Sequence, residues 1–172
     1  RFANITASAG DLAKPVPGMV AAAAADFNND GKPDLLLCCL RGPNRYLENN
    51  SHGVFTDKTA AIGLHQRVFN SQAATLADLN GDGRLDLVLH NEGQESCILF
   101  GAMPLPNGQT PVQLSLNGTA VLNGGRVIIR NGNGQPVATA AIVGGHGRGG
   151  QCGLLPRFLL SPGSYKIELV SP

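Results

Sequence analysis

The sequence predicts an all-β protein, with two repeated units that each carry an acidic loop, followed by a small antiparallel β-sandwich. Three observations lead there. The pattern D-x-N-x-D-G-x-x-D occurs twice, from Asp26 to Asp34 and from Asp78 to Asp86, and the copies lie 52 residues apart. That period is near the length of one four-stranded repeat. Each copy runs straight into an apolar strand, Leu35-Leu36-Leu37 or Leu87-Val88-Leu89. Composition agrees: aromatic residues make up 5 %, Trp is absent, and Gly (23) and Pro (11) are plentiful. Such a chain suits many short strands and turns around cores of Leu, Val, Ile and Ala.

Taken in order, residues 1–18 form a Gly- and Pro-bearing opening that reads as an outer strand or as an arm. Met19 to Ala25 is apolar and small, as a tightly packed inner strand requires. After the first acidic loop come a strand at Leu35 to Leu40, a turn at Arg41 to Asn44 and two further strands to about Lys58. Thr59 to Leu64 links the units, and Asn70 to Ala77 repeats the inner strand and reaches the second loop. The repeats thus span 1–103, residues 104–108 read as a linker, and 109–172 as the sandwich. In the last part, strands are predicted at Val112–Leu116, Ala120–Leu122, Arg126–Arg130, Val137–Val143, Arg157–Leu160 and Tyr165–Val170. Asn131 to Gly134 and Ser161 to Ser164 supply turns between them. This sheet pair is Ig-like or transthyretin-like in pattern.

The acidic loops carry the candidate chemistry. Alternating oxygen side chains around a tight loop, with Gly in sixth place, are how a chain wraps calcium, which takes six to eight oxygens at about 2.3–2.6 Å. Two calcium sites are expected. The first draws on Asp26, Asn28, Asp30 and Asp34, with the backbone carbonyl of Lys32. The second draws on Asp78, Asn80, Asp82 and Asp86, with the carbonyl of Arg84. An EF-hand is excluded, because its twelfth position needs Glu and here holds Leu37 or Leu89. The bland reading is a pair of Asn/Asp-Gly hairpin turns. A turn does not need four oxygen donors at one fixed spacing, twice.

The runs from Ala24 to Leu37 and from Leu76 to Leu89 resemble FG-GAP/VCBS repeats, the blades of integrin-alpha-type β-propellers. Asn44 to Asn50 and Gly53 to Ala60 resemble the outer strands of such a blade. The resemblance covers about residues 1–103 and implies two propeller-blade-like calcium-binding repeats, with structural rather than catalytic metal. Closed propellers have four to eight blades, so two leave edges open. Other copies of this chain, further repeats of a longer protein, or the tail folded back would cover them. Gly145 to Gln151, followed by Pro156-Arg157-Phe158, is similar to the ASPIC/UnbV module that follows FG-GAP repeats in some extracellular proteins.

Other features bound the function. Through residue 100, eight Lys/Arg against eleven Asp/Glu give −3, and beyond it five against one give +4. No basic stripe with interleaved aromatics is present, so a nucleic-acid partner is not expected. No apolar run approaches the ~20 residues of a membrane span. The chain opens at Arg1 without an initiator Met and reads as a trimmed piece of a longer precursor. Cys38, Cys39, Cys97 and Cys152 have no C-x-x-C spacing, which disfavours zinc. A disulfide joining Cys38 or Cys39 to Cys97 and buried free thiols stand as equal alternatives. Adjacent strand residues point to opposite faces, so at most one of Cys38 and Cys39 is expected in the core. Sequons at Asn4, Asn49 and Asn117 would accept glycan outside a cell. The Gly144 to Gly150 run reads as a turn rather than an anion loop, and no nucleophile elbow or metalloprotease spacing supports catalysis. The expectation is a non-enzymatic, extracellular or cell-surface calcium-binding protein for structure or adhesion, self-assembling through β edges, as a fibre subunit does. The alternatives are a propeller fragment that binds carbohydrate or protein, and an accessory domain of a larger secreted enzyme.

Overall fold

The computed structural model describes residues 1–28, 30, 32–105, 108–114, 125–142, 150–152 and 157–171, with backbone alone at 141, 150–152 and 157. Its strands are β1 (Met19–Ala25), β2 (Asp34–Cys39), β3 (Arg45–Ser51), β4 (Val54–Asp57), β5 (Ser71–Ala77), β6 (Asp86–Asn91), β7 (Cys97–Leu99), β8 (Thr110–Gln113), β9 (Arg126–Arg130), β10 (Pro136–Ala141), β11 (Gly150–Cys152), β12 (Arg157–Leu160) and β13 (Lys166–Val170). Among the described residues the only helical segments are three short 3-10 turns. The protein is all-β.

The first repeat is an antiparallel sheet ordered β1-β2-β3-β4. The second reproduces it at an offset of 52 residues. Met19 faces Cys39 as Ser71 faces Asn91, Leu35 faces Leu47 as Leu87 faces Leu99, and the bulge at Met19/Ala21 recurs at Ser71/Ala73. Even the irregularity is copied. The copy ends at β7, however, and no fourth strand pairs with it among the described residues. On the opposite edge β11 adds to β5 in parallel, so a piece of the C-terminal part completes a four-stranded sheet, order β11-β5-β6-β7.

The two repeats share one core, in which Leu36, Leu76 and Leu89 are fully buried and Tyr46 nearly so. Burying a Leu side chain stabilises by about 1.5–3 kcal/mol, so these leucines fix the packing of one repeat on the other. Beyond them, the sheet β10-β9-β13 and the pair β12-β8 enclose a small core of Val127, Ile129 and Phe158. That arrangement is the expected sandwich.

Three details differ from the sequence reading. Residues 1–18 do not form an outer strand. Thr6–Ser8 and Asp11–Ala13 are 3-10 turns, and a single bridge joins Gly10 to Phe55 of β4. The Asn4 carboxamide accepts the Thr6 N–H at 3.0 Å, and Pro15 and Pro17 carry no N–H, so local bonding defeats an extended ladder. Second, both adjacent cysteines are buried. Cys38 lies in the shared core, while Cys39 faces the other way and is covered there, its N–H donating to the Asn44 side chain at 2.9 Å. Cys38, Cys39 and Cys97 are free thiols in this structure. Third, β10 stops at Ala141, short of the predicted Val143. The predicted strand at 120–122, most of the Gly-rich run and Asn117 lie outside the described residues.

Candidate metal centres

Each acidic loop joins an inner strand to its neighbour, β1 to β2 and β5 to β6. In the first, the Asp30 N–H lies 3.0 Å from both Asp26 Oδ1 and Asn28 Oδ1, so two side-chain oxygens turn toward the same point. In the second, Asp78 accepts the Gly81 and Gly83 N–H groups at 2.8 Å, and Asn80 Oδ1 accepts that of Asp82 at 3.0 Å. The oxygens of positions one and three thus point inward in both loops. Gly83 has φ +82, and a Cβ there would sit 2.2 Å from Pro111 Cγ of β8. Only Gly allows that backbone turn at that contact.

Position five is paired with position seven. Lys32 Nζ lies 2.8 Å from Asp30 Oδ2, and Arg84 Nη1 lies 3.1 Å from Asp82 Oδ2. For Asp82, the Arg84 backbone N–H pulls the carboxyl down most, burial pushes it up, and the Asn80 and Arg84 side chains add enough to leave it below its usual range. For Asp30 burial pushes upward, but hydrogen bonds from Lys32 and Asn28 outweigh it.

Position nine is different. Asp34 and Asp86 are fully buried, at 0 % exposure. Asp34 accepts the Phe27 N–H (3.3 Å), the Tyr46 hydroxyl (2.8 Å) and the Asn49 N–H (2.8 Å). Asp86 accepts the Leu79 N–H (2.7 Å) and the Gly101 N–H (2.9 Å), the same main-chain donors 52 residues on. Each carboxylate therefore ties its loop entrance to the chain beyond, Asp34 to β3 and Asp86 to Gly101 just past β7. Burial raises the Asp34 carboxyl despite these hydrogen bonds. Its partners are neutral donors.

Whether these residues suit a hard cation rests on the donor set. Positions one, five and nine are carboxylates and position three is a carboxamide, Asn80 turning Oδ1 to the Asp82 N–H at 3.0 Å and donating from Nδ2 to Asp82 Oδ2 at 3.1 Å. A carboxylate has about four acceptor sites, so Asp34 and Asp86 keep capacity after their internal bonds. The set fits calcium, which would neutralise the carboxylates and tie the loop's two ends together. Among the described residues no three Asp, Glu, His or Cys side chains close into one metal-holding group, and loop N–H groups and the Lys32 and Arg84 side chains bond several of these oxygens.

Residues 26–89 match the family model of the FG-GAP-like repeat. The matched span opens on the first residue of the first loop and ends at the twelfth position of the second, so it holds both FG-GAP-like loops and stops short of 109–172. No curated protein matches the chain.

Several residues around the FG-GAP-like loops escape sequence reasoning. Tyr46 bonds Asp34 and packs against Phe27 with the rings tilted by 59° and their centres 5.3 Å apart, but nothing in the motif marks it. Between the repeats, Asn44 Nδ2 donates to Ser71 Oγ at 2.7 Å, Ser71 Oγ donates to Asn91 Oδ1 at 2.8 Å, and Asn91 Nδ2 reaches the Glu95 carbonyl. The one available signal was that polar Ser71 and Asn91 replace Met19 and Cys39 at equivalent positions. Of the sequons, Asn4 is exposed. The Asn49 amide is engaged, donating to the Pro33 carbonyl and accepting the Ser51 N–H.

Proposed function

We propose that the two loops bind calcium as structural ions and that the chain is an extracellular or cell-surface, non-enzymatic structural or adhesion unit. The observation that carries this reading is the duplication of the loop geometry. Inward-turned oxygens at positions one and three and a fully buried carboxylate at position nine recur at a 52-residue offset. A buried carboxylate among neutral donors is costly unless a cation compensates it. The repeat type, usual in extracellular adhesion proteins, supports the location and role.

Asp26, Asn28, Asp30 and Asp34 would hold one ion, with the Lys32 carbonyl, and Asp78, Asn80, Asp82 and Asp86 the other, with the Arg84 carbonyl. Assembly with further copies is part of the reading, because among the described residues β7 is an edge without a second partner, and it carries exposed Ile98 with exposed Phe100 just past it. A carbohydrate- or protein-binding module is the second reading. It is favoured by an open hollow of about 510 Å³ at the strand ends opposite the loops, lined by Met19, Val20, Arg41, Asn70 and Glu92 among others.

Thermal melting in calcium and in EGTA tests the metal assignment. An ion at a hundredfold excess over its Kd adds about 2.7 kcal/mol. Asp30→Ala and Asp82→Ala should each remove most of that gain at their own loop. Two variants that melt like wild type in calcium would overturn the ligand assignment.

A further inference from the structure

Position seven of such a loop is expected to contribute only its carbonyl, so its side chain is free to vary. Here it is Lys32 in one loop and Arg84 in the other, and the two make the same pair of contacts with different chemistry. Lys32 Nζ reaches Asp30 Oδ2 at 2.8 Å and the Asn49 carbonyl at 3.3 Å. Arg84 reaches Asp82 Oδ2 at 3.1 Å through Nη1 and the Met103 carbonyl at 2.9 Å through Nε. Asn49 belongs to β3 and Met103 follows β7, so each cation is held from two sides, by the carboxylate and by main chain beyond the loop.

The carboxylates in question are those assigned above to calcium. Both pairs are about one-third exposed, 38 % and 32 % for Lys32 and Asp30, and 33 % and 31 % for Arg84 and Asp82. An ion entering the loop competes with the side-chain cation for the same oxygen and is repelled by its charge. The carbonyl partner gives that cation a place to remain once the carboxylate is taken.

We propose that Lys32 and Arg84 are resident counter-ions of the two loops, holding the fifth-position carboxylate when calcium is absent and lowering calcium affinity when it is present. This rests on the calcium reading above. It makes each loop a site that responds to calcium concentration, held in shape in between by its own charge.

The test is calorimetric titration of calcium chloride into metal-stripped wild type, Lys32→Gln, Arg84→Gln and the double variant. Exposed ion pairs are modest in strength, so each single change should tighten binding by about two- to fivefold. The gain should shrink in 0.5 M KCl as screening rises. Lys32→Arg, which keeps the charge, should bind as wild type does. If Lys32→Gln does not fold, Lys32→Met keeps the stem and carries the same expectation. Variants that bind calcium no more tightly than wild type, in a wild type that binds it, would overturn this proposal and leave the calcium reading standing. A wild type that takes up no calcium would bring down the calcium reading first and this one with it.

Discussion

At the scale of single residues, the aspartates divide into two kinds by what surrounds them. Asp34 lies among neutral donors, and burial raises its carboxyl. An acid raised in the fold contributes stability below its unfolded value, 3.8, and loses it as pH climbs through the folded one. Asp57 is the opposite case. Burial pushes it up, but hydrogen bonds from the Thr59 side chain and backbone, then from Arg45, outweigh that and leave it below 3.8. Its contribution is present above pH 3.8 and is lost as pH falls through the lowered folded value. Arg45 and Asp57 form an ion pair across β3 and β4, with Arg45 Nε buried and unpartnered, so losing Asp57 leaves more of the guanidinium stranded. Asp57→Asn should cost about 1–2 kcal/mol at pH 7, and the deficit should narrow below pH 3.8. Melting curves at pH 7 and pH 3 decide it, and an equal deficit at both would rule out the ionised carboxylate as the cause.

At the scale of elements, the strands of the two repeats were legible because motif, spacing and apolar runs all pointed the same way. β1, β2 and β5 lie within one residue of their predicted limits, while β6 extends from Asp86 to Asn91 around the predicted Leu87-Val88-Leu89. That the side chains at positions one and three turn into their loops was legible from spacing alone. The ion pairs at position seven and the Tyr46 hydroxyl on Asp34 were not, since a motif names acceptors without saying which donors the fold brings to them. The N-terminal segment misled for a related reason. It has strand-like residues but satisfies its N–H groups locally, then docks on β4 by the Phe55 N–H to Ala9 carbonyl bond at 3.1 Å. Gly10 sits at that joint with φ +65, and a Cβ would lie 2.4 Å from the Phe55 carbonyl oxygen. Gly10→Ala should therefore loosen the segment without disturbing the core. Hydrogen exchange should show faster exchange at the Phe55 amide with β2 amides unchanged. Unchanged exchange at Phe55 would mean the contact tolerates a side chain.

At the scale of the whole molecule, two sheet edges have different fates. The inner edge of the second repeat receives β11, while β7 remains an outer edge of three residues. The sequence could not decide this, because β11 lies in a Gly-rich run without strand periodicity. Light scattering in calcium and in excess EGTA measures the consequence. Large assemblies that dissociate in EGTA would agree with metal-locked units joined at their edges. A monomer in both conditions would defeat self-assembly and move the reading toward the binding module.

The 52-residue offset preserved main-chain pairing down to the bulge, yet Ser71 and Asn91 stand where the first repeat has Met19 and Cys39. At these positions the two units are not interchangeable. Asn44 of the first can bond only a neighbour that offers Ser71, and the first offers Met19 in that place. The joint therefore has a direction, like a plug and a socket. Loss of either unit would discard half of the connector.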